Sequence, residues 1–337
     1  MSAATAAQRL LLTGGTGFIG SRLALQAKAQ GRTVVVTGQA NTEPERRRHA
    51  ELEAAGIGVE LGQLQEPNLA QRLVQGCDTV IHLAAAQHES NVPDEYFERV
   101  NVGATNVLLR ASRDAGVHRF VYGSTIGVYG ETVHGTLDES SKPAPDNVYG
   151  RTKLAAETLV RQSNGAMETC VVRISETYGP GDFRLLKLFR AIDRGAFIMI
   201  GAGANRRQLI YVSDLVRGLL LAADHPAARN ETFVLAGGEV ITTRDMVQCI
   251  AQALHRPLPR WHAPMWPFNA AAIVLESTLK PLGLQPPLHR RRLDFFRKSF
   301  VFSTVKAQSV LGFAPSTGFA GGASETAEWY RERGYLS

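Results

Sequence analysis

Tyr149 and Lys153 stand four residues apart in the run Tyr149-Gly150-Arg151-Thr152-Lys153, a spacing that puts both side chains on one face of a helix. An ammonium beside a phenol favours the phenolate and draws its pKa down towards neutrality, where the oxygen can trade a proton with an alcohol or ketone. Upstream of the pair, Ser124 and Thr125 end the segment HRFVYGST, and the hydroxyl of Thr125 is suited to hold a substrate oxygen against that phenol. Together these groups form a kit for hydride transfer to or from a carbon bearing oxygen. The same tyrosine–lysine spacing also occurs as a plain surface pair. Here it follows a glycine-rich turn, a strand ending in Ser-Thr and the loop PAPDNVYG.

The elements that must position these groups begin with LLLTGGTGFIG at residues 10–20. Three leucines read as the end of a buried strand, the glycines follow at once, and residues 21–30 read as a helix. Such a turn gathers backbone N–H groups and the positive end of a helix dipole where a pyrophosphate fits. Gly14 allows the tight turn, Gly17 lets backbone approach the phosphates, and Gly20 lets the helix pack on the strand. A second strand, residues 33–38, ends in Gly38-Gln39-Ala40-Asn41, without the acidic residue that would bind a ribose 2′-hydroxyl and repel a 2′-phosphate. The next helix, opened by Pro44, carries Arg46, Arg47 and Arg48, which either pair with a 2′-phosphate or form a solvated face. The balance tilts towards NADP(H).

Residues 56–61 and 78–86 read as further strands, the latter running into small residues against which a flat ring can lie. His82 within it reads as a core histidine, and the polar segment 87–93 as a candidate substrate loop. A helix over 69–75, a long helix over 96–115, a fifth strand over 118–125 and a sixth over 167–175 continue the alternation. The pattern predicts an α/β chain: a Rossmann-type, doubly wound parallel sheet whose strand carboxyl ends share one edge, with a smaller, mostly helical carboxyl-terminal lobe.

With 337 residues, 44% of them hydrophobic and 20% charged, the composition is that of a globular protein with room for two domains. A net charge of +6 suits an anionic ligand, but no basic stripe interleaved with aromatics points to nucleic acid. Cys77, Cys170 and Cys249 are too scattered for a metal site and read as thiols in a reducing compartment. The first residues lack the apolar run of a signal peptide and no run is long enough to cross a membrane, which makes the cytoplasm the expectation.

The chain resembles the extended short-chain dehydrogenases/reductases, also called the NAD-dependent epimerase/dehydratase family. TGGTGFIG, DTVIHLAA, Asn101-Val102-Gly103-Ala104-Thr105-Asn106, FVYGSTIGVYG, PDNVYGRTK, Arg173 with Tyr178-Gly179-Pro180, and LIYVSDLVRG follow the family's order and spacing. The resemblance implies Tyr149 as acid/base, Lys153 lowering its pKa and binding the nicotinamide ribose, and Thr125 in the Ser/Thr position, with Ser124 as the alternative there. It implies an NAD(P) site drawing on Gly14, Thr16, Gly17, Phe18, Ile19, Gly20, Leu83, Ala84, Ala85 and Asn101 besides Tyr149 and Lys153. It also implies a homodimer through the helices near 101–115 and 149–162. One departure is Gln63, where the family often has an aspartate near the adenine.

On this reading residues 1–180 form the cofactor domain, 206–236 return to it, and 181–337 form the substrate lobe over the carboxyl edge, with short strands at 197–200, 209–212 and 233–236. Two substrate readings compete. Glu176 stands where nucleotide-sugar members carry an asparagine before the YGP turn, and its charge would repel a diphosphate. Arg207, ahead of LIYVSD, occupies a position that grips phosphate in those same enzymes. The apolar stretch 263–287 reads as lobe core, or as the lining of a pocket for an apolar ring, and Arg290 to Arg292 read as solvated surface, with docking to an acidic membrane face as the alternative. This ending is similar to that of 3β-hydroxysteroid dehydrogenase-like members. The preferred expectation is a dehydrogenase or reductase acting on a small cyclic alcohol or ketone. The alternative is a nucleotide-sugar epimerase or dehydratase that keeps its NAD bound.

Overall fold

An unbroken apolar run suits a strand covered on both faces, and Leu10, Leu11 and Leu12 are fully buried at the centre of a parallel sheet. The computed structural model describes residues 8–87, 92–130, 135–165, 167–258, 262–279 and 290–336. Strands β1 (Arg9–Thr13), β2 (Thr33–Gly38), β3 (Gly58–Leu61), β4 (Thr79–His82), β5 (Arg119–Thr125) and β6 (Glu168–Ile174) join a later strand, Glu231–Leu235. The order across the sheet is Glu231–Leu235, β6, β5, β4, β1, β2, β3. Leu11 pairs with Val35 on one side and with Val80 on the other. Strand order therefore reverses at β1, and the crevice beyond Thr13 and His82 is the place where such sheets take ligands.

Helices α1 (Phe18–Ala29), α2 (Glu43–Ala54) and α3 (Pro67–Val74) alternate with the first strands. Thr42 caps α2 in a reciprocal box with Glu45. The single long helix expected over 96–115 is instead α4 (Asp94–Phe97), a wider π-helical stretch (Glu98–Gly103) and α5 (Ala104–Asp114), with helical backbone at both junctions. α6 (Val148–Gln162) starts at Asn147, whose side chain accepts from the N–H of Gly150 at 2.9 Å. Leu69, Leu73, Leu108, Phe120, Tyr122 and Val160 form one core cluster. Of the expected substrate loop 87–93, residues 88–91 lie outside the described residues.

The chain forms two compact units. The first comprises Met1–Thr177, Val212–Ala236 and Ser303–Pro315, and holds the sheet. The second comprises Tyr178–Tyr211, Gly237–Phe302 and Ser316–Ser337. It is mostly helical, with a core of Tyr178, Phe189, Met246, Ile250 and Tyr330, and Arg206–Arg207 pairs antiparallel with Ile241–Thr242.

Three sequence expectations change here. Residues 197–200 form no strand and contribute a single bridge between Ile200 and Ala263. The expected strand at 233–236 runs instead over Glu231–Leu235, beside β6. Of the apolar stretch 263–287, residues 280–287 lie outside the described residues, and the Met265–Leu279 helix is not core: it buries Ala272 alone and leaves Trp266, Ile273 and Val274 exposed. The side chains of Arg290, Arg291 and Arg292 lie outside the described residues.

Candidate active site

Gly14 has φ +68°, and a Cβ there would lie 2.8 Å from the Ala84 nitrogen. A Cβ on Gly20 would stand 2.2 Å from the Gly14 carbonyl oxygen, so α1 can start where it does only with glycine there. Gly17 opens α1 without a side-chain cap, the arrangement in which the N–H groups around Phe18, Ile19 and Gly20 receive an anion. Thr16 works differently: its hydroxyl is buried and accepts from the Gln39 N–H at 3.1 Å, tying the turn to the end of β2. A Cβ on Gly38 would meet that hydroxyl at 2.3 Å, which explains why no acidic side chain stands there.

Of the three arginines on α2, Arg46 donates to the carbonyls of Asn41 at 2.9 Å and Ala40 at 3.3 Å. Arg48 donates to the Thr16 carbonyl at 3.5 Å, while Arg47 pairs with Glu43 at 3.3 Å. Two of the three thus bracket the end of β2.

Lys153 is 2% exposed, with its Nζ 4.2 Å from the centre of the Tyr122 ring. Burial brings its pKa down from 10.5 to about 7, against the opposing pull of Glu157. Tyr149 is half-buried one helical turn earlier. Thr125 ends β5 and its hydroxyl accepts from the Gly127 N–H at 3.1 Å. A Cβ on Gly127 would lie 3.4 Å from that hydroxyl oxygen and 4.0 Å from Tyr149 Cδ1, so Thr125 and Tyr149 flank the same glycine. Ser124 takes the other side of the strand, as adjacent residues must. It is buried and donates to Glu157 at 2.5 Å, on the face of β5 opposite Thr125.

Glu157 in turn accepts from Arg173 at 3.1 and 2.9 Å, and Arg173 donates to the Tyr129 hydroxyl at 2.9 Å. This buried ion pair fastens α6 to β6. Arg173 stands out in the sequence only as part of the family pattern, and nothing along the chain points to Glu157 as its partner.

A second buried chain runs from the glycine turn to the tyrosine. The Ala84 N–H donates to Thr13 Oγ1 at 3.2 Å, and Thr13 meets His82 Nδ1 at 2.6 Å. His82 Nε2 meets Thr105 Oγ1 at 2.9 Å, and Thr105 donates to the Asn101 carbonyl at 2.6 Å. Asn101 grips the Ala86 backbone through both side-chain atoms, at 2.8 and 3.0 Å, and donates to Thr152 Oγ1 at 2.9 Å. Thr152 donates to the Tyr149 carbonyl at 3.1 Å. One assignment satisfies every link: a neutral His82 with its proton on Nε2. Burial, aided by the charge of Lys153, lowers the His82 pKa to about 3 and keeps it neutral. Asn101 is thus a clamp between the β4 end, carrying half-buried Leu83, Ala84 and Ala85, and α6.

Glu176 lies half-buried two residues beyond β6. Arg207 belongs to the second unit, 5% exposed, where it donates to Thr243 Oγ1 at 3.1 Å and to the Phe295 carbonyl at 2.7 Å. Its guanidinium carbon lies 4.4 Å from the centre of the Phe295 ring, so Thr243 and Phe295 both hold it within its own unit.

A switch-point crevice, a glycine-lined helix start and a buried lysine beside a tyrosine define a Rossmann-type dinucleotide enzyme of the extended short-chain dehydrogenase/reductase kind. The sequence model of the NAD dependent epimerase/dehydratase family matches residues 10–236, and the chain belongs to that family. The 3 beta-hydroxysteroid dehydrogenase/Delta 5-->4-isomerase of Mycobacterium tuberculosis is 31% identical, over 91% of this chain and 86% of that protein. A dTDP-glucose 4,6-dehydratase of Streptomyces niveus is 30% identical over 96% of this chain and 93% of its own. The crystal structure of the Streptomyces venezuelae dTDP-glucose 4,6-dehydratase with NAD and TYD bound superposes with a TM-score of 0.79. It is 27% identical and covers 98% of this chain and 99% of that one.

Proposed function

We propose that this enzyme moves a hydride between an NAD(P) cofactor and the secondary alcohol or ketone carbon of a small cyclic substrate, with Tyr149 as the proton-exchanging group. The observation that carries the reading is the buried Lys153 one turn from Tyr149, with Thr125 flanking the same Gly127. The cradle fits a dinucleotide, because a side chain at Gly14 or Gly20 would fill the space its backbone keeps open. When bound, the nicotinamide supplies or accepts the hydride. Gly14, Gly17, Phe18, Ile19 and Gly20 hold the pyrophosphate by backbone, and Thr16 shapes the turn from behind. Leu83, Ala84 and Ala85 give a flat bed, and Asn101 fixes that bed against α6. Thr125 orients the substrate oxygen, Tyr149 gives or takes its proton, and the charged form of Lys153 favours the phenolate.

Two features support NADP(H): the place at Gly38 where Thr16 excludes a side chain, and the guanidinium groups of Arg46 and Arg48 beside it. The reading also includes a homodimer through α5 and α6 and a cytoplasmic location.

A second reading, a nucleotide-sugar epimerase or dehydratase with tightly held NAD, draws support from the similarity to the Streptomyces niveus dehydratase along nearly the whole chain. Glu176 and the structural partners of Arg207 weigh towards the first. Denaturing the purified protein and identifying released nucleotide separates them: an empty site supports the dehydrogenase, and retained NAD supports the second reading. Melting shifts with UDP- and TDP-sugars but not with cyclic ketones would reverse the preference. Tyr149→Phe should abolish turnover while keeping dinucleotide affinity, and full activity in that variant would refute the proton-transfer role.

A further inference from the structure

The Met265–Leu279 helix is apolar around nearly its whole circumference. Met265, Phe268, Ala272, Leu275 and Leu279 share one side, where Ala272 is fully buried. On the opposite side Trp266, Ala270, Ile273 and Val274 recur at i, i+4, i+7 and i+8 and form an outward stripe. Trp266 is 74% exposed, Ile273 53% and Val274 59%, three of the largest apolar exposures among the described residues. Glu276, the only charge in the helix sequence, is half-buried and lies away from the stripe. Fifteen residues span about 22 Å, short of a bilayer core of roughly 30 Å, and no described helix is long and apolar enough to cross a membrane.

Charge is gathered in the same part of the chain. Residues 256–300 contain eight lysines and arginines against two acids, a surplus of +6 that equals the surplus of the entire chain. Everything else is balanced. The Arg290–Arg297 helix, which packs against the Met265–Leu279 helix, carries four of these arginines. Aromatic and aliphatic groups on an outward helix face, in a stretch of sequence that concentrates positive charge, are the complement of an interface that is apolar below and anionic above.

We infer that this face docks the protein onto an anionic lipid bilayer, with the Met265–Leu279 helix lying in the interface plane and Trp266, Ile273 and Val274 entering the acyl boundary. The inference does not depend on which substrate the enzyme takes.

The test is flotation of the full-length protein with vesicles of phosphatidylcholine alone and of phosphatidylcholine mixed with phosphatidylglycerol. Binding is expected to the mixed vesicles only and to fade as salt is raised. Tryptophan emission should shift to the blue on binding, and the shift should be absent in Trp266→Phe. Val274→Glu should weaken binding about tenfold at an unchanged melting temperature, and Arg291→Glu with Arg292→Glu should weaken it likewise. The inference is overturned by absence of binding, by equal salt-independent binding to neutral vesicles, or by unimpaired binding of Val274→Glu. Self-association in analytical ultracentrifugation that Val274→Glu abolishes would also overturn it, since the face would then join two copies.

Discussion

The ammonium of Lys153 sits 4.2 Å above the ring of Tyr122, a residue of β5 that itself lies wholly in the core. The ring's negative face supports a charge that burial alone would expel. Tyr122→Leu should therefore lower the lysine pKa below its value of about 7, by about one unit for a desolvated contact of this kind. Tyr122→Phe keeps the ring and should leave it in place. NMR titration of lysine labelled at Cε reads this directly, and an unshifted pKa in Tyr122→Leu would remove the ring from the account.

His82 is held neutral, with a pKa of about 3 against 6.5 for the free side chain. Between those values the unfolded chain binds a proton that the native one does not, so stability is complete above about pH 6.5 and is lost as pH falls towards 3. The loss from this group is up to about 5 kcal/mol. Urea unfolding at stepped pH should show that slope, and His82→Gln should flatten it while lowering stability at neutral pH. An equal slope in the variant would mean that other groups cause the acid sensitivity.

Glu157 and Arg173 bind one another with both side chains buried. Removing the guanidinium leaves the buried Glu157 carboxylate to the half-exposed Arg161 at 2.8 Å, so Arg173→Leu should cost up to about 3–5 kcal/mol. Combining it with Glu157→Leu should recover part of that loss, since the buried carboxylate goes with its guanidinium, although Arg161, 2.8 Å from Glu157, then also loses a partner. Chemical denaturation of the two single variants and the double variant measures the coupling.

Gly14→Ala places a methyl against the Ala84 backbone at a positive φ. Dinucleotide affinity should fall at least about tenfold, from strain of about 1–3 kcal/mol at the turn, with a smaller effect on melting temperature. Gly31→Ala, also at positive φ but with nothing within 4 Å, should leave binding untouched. Isothermal titration with NADH and NADPH on both variants checks this, and a clear preference for NADH in the parent would withdraw Arg46 and Arg48 from cofactor selection.

What the sequence conveyed well was whatever depends on neighbours along the chain. The leucines of β1, the glycines after them and the tyrosine–lysine spacing each have a local cause, and they led to the parallel sheet and the family. What it hid depends on partners far away. Ser124 and Thr125 look equivalent as letters; only the direction of β5 turns one towards Glu157 and leaves the other beside Gly127. Arg207 reads as a phosphate ligand by its place in the sequence, and nothing there announces that Thr243 and Phe295 are brought to it. The stretch at 265–279 has the composition of a core, and nothing local announces that half of it faces outward.

The wide turn at Glu98–Gly103 makes length itself a form of information. Asn101 reaches both the Ala86 backbone and Thr152 from inside that turn. Deleting Val102 or Gly103 would let ordinary winding resume and swing the Asn101 amide about 100° relative to the helix that follows. Outward-facing positions of the segment can change identity freely, whereas a chain one residue shorter would lose the clamp even with every side chain it uses still present.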